Sequence, residues 1–190
     1  MLNGEVLIVM QDADELIYKR FITERNEEDF RILLERHKES LMLFLYSYVH
    51  NLEDAEELML DTYAEVAAGS SFFGKSSFKT WLFSIGKNKA LMRLRKRHFT
   101  TVELTEMAEE KTEPPEMEIL SDERKRQLYK ALDQIKEEYR QILILLYFEE
   151  MSYDEVERVM GKRRKQIYNL AERGRLALKE RLERMGFDYA

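Results

Sequence analysis

The chain has 190 residues, with charged side chains at 36%, seven Gly, two Pro and no cysteine. Without a thiol there is no disulfide framework, thiolate zinc site or cysteine nucleophile, and His37, His50 and His98 are too scattered for a metal-binding tract. The net charge of −6 would argue against a polyanionic partner if it were evenly spread, but residues 99–123 carry nine acidic side chains and one basic, whereas residues 161–190 carry nine basic and four acidic.

Residues 6–10 form a purely apolar run that fits a short strand or a helix start equally well. The run is far too short for a bilayer and no basic stretch precedes it, so a cytoplasmic chain that neither leaves the cell nor enters a membrane is expected. The scarcity of Gly and Pro beside many Leu, Glu, Lys and Arg predicts an all-α fold. A short helix is expected over residues 14–22. A longer one follows, with Phe30, Leu33, Leu34, His37, Leu41, Phe44, Leu45 and Tyr48 on one stripe and Asn26 with Asp29 as its start signal. Asn51 restarts the pattern, with Asp54 at the third helical position and Ala55, Leu58, Met59, Thr62, Tyr63 and Val66 on one face. Beyond the break at residues 69–74, Ser76 or Ser77 caps a helix. Phe78, Trp81, Leu82, Ile85 and Met92 share one of its faces, and Lys87, Lys89, Arg93, Arg95, Lys96 and Arg97 take the other.

Residues 99–123 lack a helical period, are strongly acidic and contain Pro114-Pro115, which cannot continue a helix. They are expected to be a flexible acidic linker between two small helical domains, residues 1–98 and 124–190. In the second domain, Leu128, Leu132 and Ile135, then residues 142–148, make two apolar helical segments. Ser152-Tyr-Asp-Glu155 has the form of a capping box, which starts a helix that Gly161 ends. From Lys165 onward, Ile167, Leu170, Ala171, Gly174, Leu178 and Leu182 trace another stripe. A capped helix, a turn containing Gly and a second helix with a basic outer face have the pattern of a helix-turn-helix. Taken by themselves, these residues also fit an ordinary helical hairpin, and each basic island also fits a solvated face.

Four stretches, in order, carry a resemblance. Asp54-Ala-Glu-Glu-Leu-Met-Leu-Asp-Thr-Tyr63 is similar to the D-A-E-D-L-x-Q-E-T-F motif of the sigma-70 family of bacterial RNA polymerase factors, in particular its extracytoplasmic-function (ECF) group. Phe73-Gly-Lys-Ser-Ser-Phe-Lys-Thr-Trp-Leu-Phe-Ser-Ile-Gly-Lys-Asn88 resembles the family's F-x-G-x-x-F-x-T-W-L-x-x-I-A-x-N segment, and residues 91–97 continue it as a basic helix. Leu132-Asp-Gln-Ile-Lys-Glu-Glu-Tyr-Arg-Gln-Ile-Leu resembles the start of the family's C-terminal domain, and residues 152–161 resemble the first helix of its helix-turn-helix.

The resemblance implies a sigma factor without catalytic residues, metal or cofactor, which brings core RNA polymerase to promoter DNA and helps to open it. An anti-sigma protein is a further implied partner. It implies that Asp54, Glu57, Leu58 and Asp61 bind the polymerase. Melting a promoter requires apolar surfaces for unstacked bases with cations nearby for the phosphates. The implied −10 set is Phe72, Phe73, Lys75, Ser76, Ser77 and Lys79 in the loop and helix start, then Lys87, Asn88, Arg93, Arg95, Lys96 and Arg97 along the helix. For the −35 element, Arg164, Lys165, Gln166, Tyr168 and Asn169 are candidates for base edges, and Arg163, Arg173 and Arg175 for phosphates.

This sequence departs from the family pattern at several points. Glu157 stands for a small residue and Lys162 for an apolar one, so the two helices pack more loosely or these side chains turn outward. Met92 replaces a common acid. Gly86 replaces a common alanine and should soften its helix by about 1 kcal/mol. Two alternatives are a helix-turn-helix regulator that works without polymerase and a helical adaptor that binds no DNA.

Overall fold

The computed structural model describes residues 13–69, 72, 74–103 and 123–187, and every regular element among them is helical. The N-terminal half contains α1 (Asp14–Glu24), α2 (Glu27–Val49), α3 (Leu52–Ala68) and α4 (Phe78–Glu103). The C-terminal half contains α5 (Glu123–Asp133), α6 (Glu137–Leu143) continuing into a π-helical turn (Ile144–Phe148), α7 (Tyr153–Met160) and α8 (Arg164–Arg184). Residues 6–10 and Pro114-Pro115 lie outside the described residues. The fold is all-α with two helical domains, and the second ends in a helix-turn-helix built from α7 and α8.

Local signals set most helix starts. Asn51 Oδ1 accepts from the Asp54 N–H at 3.0 Å, and Ser152 and Glu155 form the reciprocal capping box. Asn26 caps α2 by accepting from the Glu28 N–H at 3.0 Å. Asp29 does not complete that start signal. It turns inward, 1% exposed, and takes Arg20 Nη2 at 2.8 Å and Nε at 3.2 Å. Between the two serines offered as the cap of α4, Ser77 takes the role, its Oγ accepting from the Thr80 N–H at 3.3 Å. The Phe78 N–H goes instead to Glu15 Oε1 of α1, at 2.7 Å. Gly161, with φ +67°, closes α7 in the left-handed conformation that suits glycine.

In the N-terminal half, α3 and α4 pack on α2 with α1 across them. Leu33, Leu41, Phe44, Leu45, Phe78, Leu82 and Phe83 are all fully buried between them. Gly86 allows the close approach of α4 to α2, since a Cβ there would meet Leu41 Cδ1 at 3.2 Å and Leu45 Cδ2 at 3.3 Å. Two expectations need correction. Met92 is 56% exposed and does not share the buried face, because that far along α4 the apolar stripe has rotated off α2. The helix itself continues through Glu103, five residues into the stretch read as linker.

Arg140 organises the C-terminal half. It is 5% exposed, and its Nε and Nη2 donate to the carbonyls of Leu132 at 2.9 Å and Asp133 at 2.7 Å, capping the end of α5. Lys162, the departure after the turn glycine, reaches away from the helix crossing to Glu138 Oε1 at 2.7 Å. The two halves pack on each other across one continuous apolar cluster. Leu43 and Tyr46 of α2 face Tyr129, Leu132 and Ile144 around a cavity of only about 20 Å³.

Candidate nucleic-acid and partner interfaces

The acidic start of α3 presents the first candidate surface. Asp54 is held by Arg93 Nη1 at 2.7 Å and by Arg97 Nη2, and exposed Glu57 takes Arg93 Nη2 at 2.9 Å. Arg93 therefore stays firmly protonated, first through its hydrogen bond to Glu57 and then through both negative charges. Asp61 is exposed. Leu58 is 2% exposed and belongs to the core, so it does not reach a partner. The apolar side chain that α3 does present is Leu60, 64% exposed. Sequence reasoning passed over Leu60 because it falls off the buried stripe, yet an apolar residue outside the stripe and among acids is itself a signal.

The loop before α4 and the helix that follows form the second. Phe72 is half-buried, its ring 5.3 Å from Tyr18 and 5.1 Å from Trp81; Phe73 lies outside the described residues. Beside Phe72 is an open, largely apolar pocket of about 470 Å³, lined also by Leu16, Tyr18, Ile22 and Ser76. Leu16, from α1, is 56% exposed at this pocket and was not anticipated. Lys75 is exposed at the loop, and Asn88, Arg95 and Lys96 are exposed along α4. Ser76 Oγ donates to the Ser77 carbonyl at 3.3 Å. Ser77, Lys79 and Lys87 are drawn into contacts with the C-terminal half.

The third surface is the outer face of α8. Arg163, Arg164, Lys165, Gln166, Tyr168, Asn169, Arg173 and Arg175 are all exposed there, while Ile167, Ala171 and Gly174 face the core. Gln166 Oε1 accepts from the Arg163 N–H at 3.0 Å, which fixes the side chain at the helix start. Arg164 pairs with Asp154 Oδ1 at 2.7 Å. Arg175 donates to the Tyr147 hydroxyl at 2.7 Å and pairs with Glu172. Tyr168 is 54% exposed and leans on Tyr153 with ring centroids 6.1 Å apart. The spacing that predicted a basic face thus leaves all eight residues exposed, seven on α8 and Arg163 at its N-cap.

A buried polar cluster ties α1, α2 and the π-helical turn together. His37, 5% exposed, places Nε2 2.9 Å from Asp14 Oδ2 and Nδ1 2.8 Å from Glu149 Oε2. Arg36 also pairs with Asp14, at 2.6 Å, and Ser40 donates to Glu149. Burial alone would lower the His37 pKa, but the hydrogen bonds and negative charges of Asp14 and Glu149 outweigh it and push the imidazole up to about 9. His37 is therefore a cation at neutral pH. Burial would raise the Asp14 carboxyl, yet His37 and Arg36 hold it below its ordinary value.

Comparisons with known proteins fit this arrangement. The family model described as Sigma-70 region 2 matches residues 33–100, and the one described as Sigma-70, region 4 matches residues 125–178. The chain is 27% identical over 163 residues to RNA polymerase sigma factor YlaC of Bacillus subtilis, covering 83% of this chain and 94% of that one. It is 26% identical over 166 residues to ECF RNA polymerase sigma factor SigX of Bacillus subtilis, covering 83% and 85%. Among solved structures it is similar to the sigma factor RpoE of Bartonella quintana in complex with the anti-sigma factor NepR. That match has a TM-score of 0.64 and 26% identity, covering 82% of this chain and 98% of that one.

Proposed function

The chain belongs to the sigma-70 family and acts as an ECF-type sigma factor that directs RNA polymerase to promoters, and on that premise we propose how its surfaces divide the work. Glu57, Leu60 and Asp61 on α3 are the polymerase-binding face. An exposed leucine flanked by carboxylates fits a basic partner surface with an apolar centre, and Asp54 positions that face through Arg93 and Arg97. The pocket beside Phe72 and Leu16 takes an extruded base, with Lys75, Ser76, Asn88, Arg95 and Lys96 near the strand it leaves. The outer face of α8 reads the −35 element in the major groove, Lys165, Tyr168 and Asn169 toward base edges and Arg173 and Arg175 toward phosphates. An anti-sigma protein covering these surfaces would keep the factor inactive. The chain is a specificity subunit and not an enzyme, and bond formation belongs to the polymerase it recruits.

The observation that carries this assignment is the coexistence on one chain of an acid-flanked exposed leucine and a separate helix, α8, whose candidate basic and polar side chains are all exposed. Run-off transcription with core polymerase on genomic fragments tests it. Wild-type protein should direct initiation, and Leu60→Arg should weaken core binding by about tenfold or more, as expected for an interface anchor, while its helical signal and melting stay unchanged. Initiation unaffected by Leu60→Arg would remove α3 as the polymerase-binding face.

A further inference from the structure

One aromatic side chain of the C-terminal half belongs to none of the surfaces assigned above. Tyr147 is 51% exposed, although it sits in an apolar run in which Leu143, Ile144 and Leu145 are buried. In a continuous α-helix residue 147 would share the face of Leu143 and Ile144 and point into the core. The π-helical turn over Ile144–Phe148 takes one more residue per turn, marked by the Glu149 N–H that bonds back to the Ile144 carbonyl at 3.2 Å. The Tyr147 ring is thereby turned out of the core and meets α8. Arg175 Nη1 donates to its hydroxyl at 2.7 Å, and Glu172 takes Nη2 of the same guanidinium. Tyr153, the first residue of α7, also lies beside Arg175, and its ring supports Tyr168 at a centroid distance of 6.1 Å.

We propose that Tyr147 is a positioning residue of the −35 reader, its hydroxyl fixing the Arg175 guanidinium at the edge of α8 where a DNA phosphate can take it. The Arg175 side chain is 42% exposed, so a phosphate can reach it. Its two holders differ in chemistry. Glu172 restrains the guanidinium with a negative charge that opposes an incoming phosphate, whereas the phenol of Tyr147 restrains it and leaves its positive charge intact. An arginine presents five N–H donors in a rigid fork, so the bonds to Tyr147 and Glu172 leave others for phosphate oxygens. A loose arginine on a helix surface loses rotamer freedom when it grips a ligand. A guanidinium already fixed loses less, and the difference appears as affinity. π-Helical turns are frequent at functional sites, and this one delivers outward a tyrosine that α-helical geometry would have buried. The inference rests on the assignment of Arg175 to a phosphate made above.

Binding of the full chain to a mixed-sequence 25-bp duplex, followed over a series of low salt concentrations, tests it, because such binding is dominated by phosphate contacts. Arg175→Ala should weaken binding about tenfold and lower the slope of log affinity against log salt by about one. Tyr147→Phe keeps the ring and removes the hydroxyl. It should weaken binding about threefold, the size of one ordinary hydrogen bond, while the salt slope and the melting temperature stay at their wild-type values. Added to Arg175→Ala, it should have no further effect, since the hydroxyl acts only through the guanidinium. A purely structural role for Tyr147 predicts the same loss in both backgrounds, and that result overturns the proposal. So does a Tyr147→Phe variant that binds as the wild type does. Arg175→Ala with unchanged affinity and slope would remove the phosphate assignment together with the proposal, whereas the expected Arg175→Ala loss beside an inert Tyr147→Phe removes the proposal alone.

Discussion

At the scale of single residues, His37 shows how far tertiary context outweighs local pattern. Its position on the α2 stripe marks it as buried, but nothing nearby in the sequence indicates that Asp14 and Glu149 will meet its two ring nitrogens. Because the folded-state pKa is raised from 6.5 to about 9, the stabilisation is complete below pH 6.5 and is lost as pH rises through about 9. Thermal unfolding followed from pH 6 to pH 10 should show that decline, and His37→Ala should abolish it. The same substitution leaves Glu149 buried without its cation and should cost about 3–5 kcal/mol, read by denaturant unfolding at pH 7. Gly86 carries a second residue-scale prediction. An alanine normally gains about 1 kcal/mol over glycine inside a helix. Here its Cβ would press on Leu41 and Leu45, both fully buried, and the crowding cancels the gain. Gly86→Ala should therefore leave the unfolding midpoint unchanged or lower it.

At the scale of elements, starts were more legible than ends. Asn51 and Ser152 cap as their spacing indicates because capping depends on three or four consecutive residues. Ser152→Ala should cost about 1 kcal/mol in denaturant unfolding, with a smaller loss if Glu155 keeps α7 in place through Ser77. The α4 boundary was misplaced because acidic composition alone does not stop a helix whose backbone bonds are intact. The π-helical turn was not foreseen at all. Residues 142–148 are apolar at nearly every position, so no period distinguishes α from π geometry. The turn nevertheless has a consequence. Glu149 N–H bonds back five residues to the Ile144 carbonyl at 3.2 Å, and the chain leaving the turn presents the Glu149 carboxylate to His37 and its carbonyl to Lys79.

At the scale of the whole molecule, the two halves share one apolar cluster, and that governs how the chain unfolds. Thermal unfolding at neutral pH should show a single transition for the wild type, because opening the contact exposes Leu43, Tyr46, Tyr129 and Ile144 together. Two well-separated transitions would mean that the halves melt independently. The helical count, the helix-turn-helix and the charge asymmetry between α3, α4 and α8 all follow from short-range patterns. The docking of α7 along α4 does not.

The amino-acid sequence alone determined the all-α character, most helix starts, the exposed basic face of α8 and the family, because periodicity, capping and motif spacing each depend on neighbours within a few turns. Only the tertiary structure decided that Leu58 is core while Leu60 is surface, that Asp54 is already engaged by Arg93 and Arg97, and that Lys79 and Lys87 bracket α7. Those outcomes depend on how helices distant in sequence cross. Crossing is set by side-chain packing and by the need to pair every buried charge, and no local pattern encodes either.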